Sequence, residues 1–167
     1  MRTQTRDILI GGLWAGVIGY GTVVVIMAFL NVLLGRSPFY TAALFGSALF
    51  YGLRDPSHLV VAAGPVLAYN ATHMVAFLAL GLGASWLTAL AERHPTAQYF
   101  ILFVLIFVAF HVYGALGFFA EPLLGAAGWW EIGLGTLAAA AAMGWYLWRA
   151  HPLLRRELHD LPMGATS

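Results

Sequence analysis

Residues 8–34 read ILIGGLWAGVIGYGTVVVIMAFLNVLL and contain no charged side chain. A helix rises ~1.5 Å per residue and a bilayer's hydrocarbon core is ~30 Å thick, so about 20 apolar residues suffice to cross it. This stretch is longer than that. Arg2 and Arg6 precede it as basic residues precede a secretory leader. The apolar run, however, far exceeds the roughly 7–15 residues of a leader's core, and no small-residue cleavage site closes it. We read it as a retained spanning helix.

Three further stretches have the same character, at about 65–91, 97–120 and 128–149. Gly64-Pro65 opens the second, because proline at the first helical position gives up an N–H that has no helical acceptor. Pro95 and Thr96 precede the third. Composition agrees with this reading. Hydrophobic residues make up 61% of the chain and charged residues 9%, and mean hydropathy is +0.81. A water-soluble domain carries about 25% charged residues. The balance excludes a soluble enzyme, a disordered tail, a collagen-like fibre and a nucleic-acid binder. Cysteine is absent, which excludes disulfides, thiolate metal sites and cysteine nucleophiles together. All eight basic residues are arginine, with abundant Ala and Gly. That bias fits a GC-rich bacterial gene and therefore a bacterial inner membrane.

The expected fold is an all-α integral membrane protein, a four-helix transmembrane bundle in one membrane domain over 8–149. Residues 1–7 form a cytoplasmic N-terminus, and 150–167 form a cytoplasmic amphipathic tail in which Leu153, Leu154, Leu158 and Leu161 alternate with Arg and acids. With both termini inside, Arg2, Arg6, Arg93, Arg149, Arg155 and Arg156 lie on the cytoplasmic side, and only Arg36 and Arg54 lie outside. That is the arrangement the positive-inside rule favours. Trp14, Trp86, Trp145 and Trp148 then fall near the inner interface, and Trp129, Trp130, Phe118 and Phe119 near the outer one. The outer loop 35–64 is long and apolar. Ser37-Pro38 begins it like a helix start, and 39–51 carries five aromatic residues. At that length it predicts an interfacial or re-entrant helix. Arg54-Asp55 before Pro56 reads as a turn.

Helices in lipid associate through close packing, which small residues permit. Gly12 and Gly16 have GxxxG spacing, Gly11, Ala15 and Gly19 form an adjoining line, and Gly81, Gly83, Gly133 and Gly135 lie in later spans. Packing within the chain is the expected use.

Ionisable residues inside a span are costly and face the protein interior or a cavity. His73 follows Pro65 by eight residues, and His111 precedes Ala120 by nine. At ~1.5 Å per residue both lie ~12–14 Å below the outer surface, on helices joined by a short inner turn. Asn70 and Tyr69 adjoin His73, and Tyr113 and Gly114 adjoin His111. Asn31, Glu121 and Glu131 gather in the same outer half, whereas the inner half has nothing comparable. Two chemistries suit this pattern. His73 and His111, with Asn70 beside them, form an axial ligand pair for haem b, with Gly81, Gly114 and Gly117 making room for the macrocycle. Alternatively His73, His111, Glu131 and Glu121 bind a transition metal such as Zn, Cu or Fe. A third use of the cluster is to line a quinol pocket. The competing expectation is structural: each histidine hydrogen-bonded within the bundle, and both glutamates at the interface, where a carboxylate is cheap. His58, His94, His151 and His159 read as solvated or interfacial. No catalytic triad, phosphate loop or line of charges through the membrane appears.

The function expected is a small integral subunit of a respiratory or other electron-transfer complex, surrounded by lipid and by other membrane subunits or copies of itself. A cofactor-free structural or assembly subunit is the alternative. A stand-alone membrane enzyme or carrier for an apolar substrate is the third.

Overall fold

The computed structural model describes residues 2–93 and 128–151, with side chains from Thr5 onward. Within them lie four α-helices and no strand: α1 (Arg2–Leu33), α2 (Tyr40–Tyr51), α3 (Ala63–Arg93) and α4 (Trp129–Ala150). A single 3-10 turn, Pro56–His58, lies between α2 and α3. The expected third span, 97–120, and the amphipathic tail beyond His151 lie outside the described residues.

Two helices are long and apolar enough to cross a membrane: 29 residues of α1 (Thr5–Leu33) and all 31 of α3. The stretch expected to be the fourth span is helical as α4, whose 22 residues extend ~33 Å, but it is not apolar enough to count with those two. Its hydropathy is diluted by Glu131 and Arg149 and by the tryptophans near both its ends. Only 22% and 28% of the most apolar windows of α1 and α3 are buried. Leu67, Val75, Val25 and Leu137 all point out of the bundle. The apolar surface of these helices is therefore turned outward, unlike that of a core helix in a water-soluble protein.

Helix α1 is the shared partner. It packs against α3 on one side and α4 on the other, while α2 rests on α3. Helix α3 runs antiparallel to α1, because Ile8 meets Ser85, Gly12 meets Leu82, Gly16 meets Leu78 and Tyr20 meets Asn70. Helix α4 is antiparallel to α1 as well, since Gly19 meets Met143 and Met27 meets Gly135. The start of α1 thus shares one end of the molecule with the ends of α3 and α4.

The α1–α3 seam is a contact between backbones. A Cβ on Gly12 would lie 2.6 Å from the Leu82 Cα, and one on Gly16 would lie 2.6 Å from the Phe77 carbonyl oxygen. Gly81 returns the contact against Gly12 and Gly16. The glycine spacing read from the sequence is used within the chain. Further down the seam the Ser85 hydroxyl donates to the Ile8 carbonyl at 3.0 Å. Other hydroxyls in the long helices bond to their own backbone: Thr22 to Ile18, Thr72 to Ala68 and Thr88 to Ala84. These polar groups are satisfied without water.

The chain reverses after α1 through a glycine turn. Gly35 has φ +72°, a conformation that costs other residues a clash at Cβ. The Gly35 N–H donates to the Val32 carbonyl and the Arg36 N–H to that of Asn31, the paired bonds of a Schellman motif. Helix α2 begins two residues later than a Ser37 cap followed by Pro38 suggested. The Ser37 hydroxyl accepts from the Phe39 N–H at 3.3 Å and its carbonyl accepts from the Tyr40 N–H. After α2, Asp55 caps the 3-10 turn by accepting from the Ser57 N–H at 2.9 Å, as the Arg54-Asp55-Pro56 reading anticipated. The Ser57 amide, then its hydroxyl and the nearby His58, hold the Asp55 carboxyl below its ordinary range.

The seam generates a sharp expectation. Gly12→Leu or Gly16→Leu drives a side chain into the backbone of α3 and lowers stability by about 1–3 kcal/mol, the usual cost of overpacking. Gly83→Ala meets open space and changes stability by less than about 0.5 kcal/mol. Reversible unfolding in mixed micelles, followed by circular dichroism, compares them.

Candidate functional site

The polar residues expected to form one outer cluster resolve into two groups among the described residues. The first is a latch between the end of α1 and the start of α4. Arg36, released by the Gly35 turn, places its Nη1 3.2 and 3.3 Å from the two carboxylate oxygens of Glu131. Glu131 is 2% exposed and Arg36 30%, and the Arg36 guanidinium also lies 4.9 Å over the Tyr40 ring. Gly128 opens α4 at φ +68°, and a Cβ there would stand 2.7 Å from a Glu131 carboxylate oxygen. Two requirements therefore meet at this glycine: the backbone turn and the room for the carboxylate. Beside the latch the Asn31 side chain is fully buried. Its oxygen accepts from the Thr41 hydroxyl at 3.1 Å, and its nitrogen donates to the Pro38 carbonyl at 3.3 Å. The amide thereby joins α1 to α2 and to the turn between them.

The second group is a column of rings. Phe45 of α2 stacks on Tyr69 at 5.8 Å, Tyr69 stacks on His73 at 4.9 Å, and Phe77 meets His73 edge-on at 5.1 Å. Residues 69, 73 and 77 fall four apart and so share one face of α3. The column reaches from α2 along α3. His73 is half-buried. Among the described residues no group hydrogen-bonds its ring nitrogens, nor the Tyr69 hydroxyl. Stacking on Tyr69 covers one face of the imidazole, whereas ligation or hydrogen bonding uses the ring nitrogens at its edge.

Asn70 lies one turn before His73 and serves the α1–α3 seam. Its oxygen accepts from the Tyr20 hydroxyl at 2.9 Å, and its nitrogen donates to the Val66 carbonyl at 2.8 Å. His111 and Glu121 lie outside the described residues. Among the described residues no three of His, Cys, Asp and Glu come together as a metal-binding group. Glu131 sits with Arg36 and His73 with the rings.

Three local expectations are corrected. Glu131 is not an exposed interfacial carboxylate but a buried one answered by Arg36. Gly81 leaves no room for a macrocycle, because the backbone of α1 occupies the space in front of it. His151, read as solvated or interfacial, is mostly buried and so not freely solvated: its Nδ1 lies 2.9 Å from an oxygen of Glu92, itself mostly buried, which ties the ends of α3 and α4 together. His58 is exposed as expected, and His94 and His159 lie outside the described residues. The residues missed by sequence reasoning are Arg36, Thr41 and Tyr20. The available signal was Arg36 itself, a basic residue on the side where the charge rule disfavours one.

No protein-family model matches the chain, and neither a curated protein nor a solved structure is similar to it.

The latch makes a prediction that separates pairing from packing. Arg36→Met leaves a buried carboxylate unanswered and costs about 3–5 kcal/mol. Replacing both partners, Arg36→Met with Glu131→Leu, recovers most of that loss, since a buried ion pair is often matched by apolar packing. A double-mutant cycle in detergent measures the coupling. A loss in the double variant equal to the sum of the two single losses would show that the two side chains do not act as a pair.

Proposed function

We propose that the chain is a small integral subunit of a membrane electron-transfer assembly and that His73 is the polar centre of its site. The observation that carries this reading is the His73 edge. It is an imidazole within a span-length apolar helix, stacked on Tyr69 and in edge contact with Phe77, and unbonded at its nitrogens among the described residues. A polar group in hydrocarbon is costly without a partner, and the geometry leaves the edge for a group from elsewhere.

Membrane residence is supported by the two long outward-facing apolar helices and by the tryptophans. All six are 41–57% exposed. In α4 they stand at 129 and 130 near one end and 145 and 148 near the other. Fifteen to nineteen residues of helix separate these pairs, ~22–29 Å, close to the ~30 Å of a hydrocarbon core. Indoles favour such interfaces. The arginine distribution favours a cytoplasmic position for the shared end of α1, α3 and α4; on this reading the chain is a multi-pass protein of a bacterial inner membrane with the His73 column in the outer leaflet.

Three occupants fit the edge. In haem b, which supplies one-electron chemistry when bound, His73 and His111 would be the axial ligands. In a transition-metal site, His111 and Glu121 would join His73, and Glu131 would first have to leave Arg36. In a quinol site, the Tyr69 hydroxyl and the His73 imidazole would hold the oxygens of the head group, with Asn70 bracing the helix. A cofactor-free structural subunit is the second reading. Its support is that Asn31, Thr41, Arg36, Glu131, Tyr20 and Asn70 are satisfied by one another.

One purification tests both readings. The absorption spectrum of the membrane-extracted protein, elemental analysis and a solvent extract assayed for quinol are compared with those of His73→Ala. A Soret band, one metal ion per chain or a stoichiometric quinol, lost in the variant, supports the site. Three blanks, with a His73→Ala protein that still folds and assembles, leave the structural reading.

A further inference from the structure

The end of the molecule shared by the start of α1 and the ends of α3 and α4 carries four of the six tryptophans: Trp14, Trp86, Trp145 and Trp148. Two of them form a seat. The Trp145 and Trp148 rings lie 5.4 Å apart at 59°. The guanidinium of Arg149 lies over Trp145, 4.7 Å from the ring centroid. All three side chains are on the outside of the bundle. Arg149 has no carboxylate partner among the described residues, and Glu92 at the same end is already bonded to His151. Arg93, the last residue of α3, is exposed beside the same end.

We infer that Trp145, Trp148 and Arg149 form a binding seat for the phosphate of an anionic phospholipid in the leaflet at this end. The inference rests on membrane residence and is independent of any occupant at His73. A guanidinium is planar and weakly hydrated, and it presents paired N–H donors that match phosphate oxygens. Stacked on an indole, Arg149 is held before the lipid arrives, so less freedom is lost on binding. Trp145 and Trp148 lie at the level where indoles meet head groups and acyl chains. They supply the apolar wall beside the charge. The exposed positive charge of Arg149 selects an anionic lipid over a zwitterionic one.

Tryptophan quenching by brominated lipids reads this directly. The full chain is reconstituted in phosphatidylcholine vesicles doped with equal amounts of brominated phosphatidylglycerol or brominated phosphatidylcholine. The seat predicts that the glycerol lipid is preferred about five-fold, the size of one basic residue's attraction to an anionic head group. In Arg149→Gln the preference falls to near one, while Arg54→Gln, in the loop after α2, keeps it. Equal quenching by the two lipids in the unaltered chain overturns the proposal, as does an Arg149→Gln variant that retains the preference. Millimolar inorganic phosphate leaves the preference intact if the lipid is the ligand; its loss would mark a free-phosphate site and remove the lipid assignment. No quenching by either lipid would overturn membrane residence together with the seat, so the two failures are distinguishable. Changing Trp14, Trp86, Trp129 and Trp130 to Phe isolates the signal of the seat, and the unaltered chain gives the decisive comparison if that variant does not fold.

Discussion

Contact between the backbones of α1 and α3 is the constraint on which the other placements depend. Gly12 and Gly16 lie against Gly81 and its neighbours with no side chain between them. Close approach of this kind gains dispersion contacts along a whole face and does not rely on a hydrophobic driving force, which is weak between helices in lipid. It also fixes register. Once Gly16 lies against Leu78, Tyr20 is brought to Asn70 and Ile8 to Ser85. Those hydrogen bonds then hold the pair against sliding. The column from Tyr69 to Phe77 stands on the same helix, so its position relative to α1 follows from the seam.

Helix α1 carries α4 on its other side through softer contacts. Gly19 receives Met143, and Gly135 receives Met27 and Val23. Methionine is unbranched and fits irregular gaps, which suits a contact that also has to accommodate the latch. The two ends of α4 are pinned by polar interactions of different kinds: Arg36 with Glu131 at one end and Glu92 with His151 at the other.

Much of the architecture was legible in the sequence because the signals are local. Charge-free runs located α1 and α3 to within a few residues, except that α1 begins at Arg2 and not at Ile8. The aromatic run with Ser37-Pro38 located α2, and glycine spacing identified the seam. The site was less legible, for a physical reason. Glu131 looked like a cheap interfacial carboxylate because nothing near it in sequence answers it; its partner is 95 residues away. His151 looked solvated or interfacial because Glu92 is 59 residues away. Asn70 was recognised as polar and close to His73, but its engagement with Tyr20 depends on helix register, which composition does not encode. Hydropathy also overstated α4, whose tryptophans and charges bring it below the other two long helices.

The latch has a bearing on how the chain is assembled. In its seated position α4 holds a carboxylate with almost no access to solvent, so seating it in ionised form is costly until a cation is waiting for it. The cation belongs to the turn after α1, a segment that leaves the ribosome long before Glu131 does. Synthesis from the N-terminus therefore delivers the receiving charge first. A rearranged gene that placed α4 ahead of α1 would present the acid with no counter-ion in place.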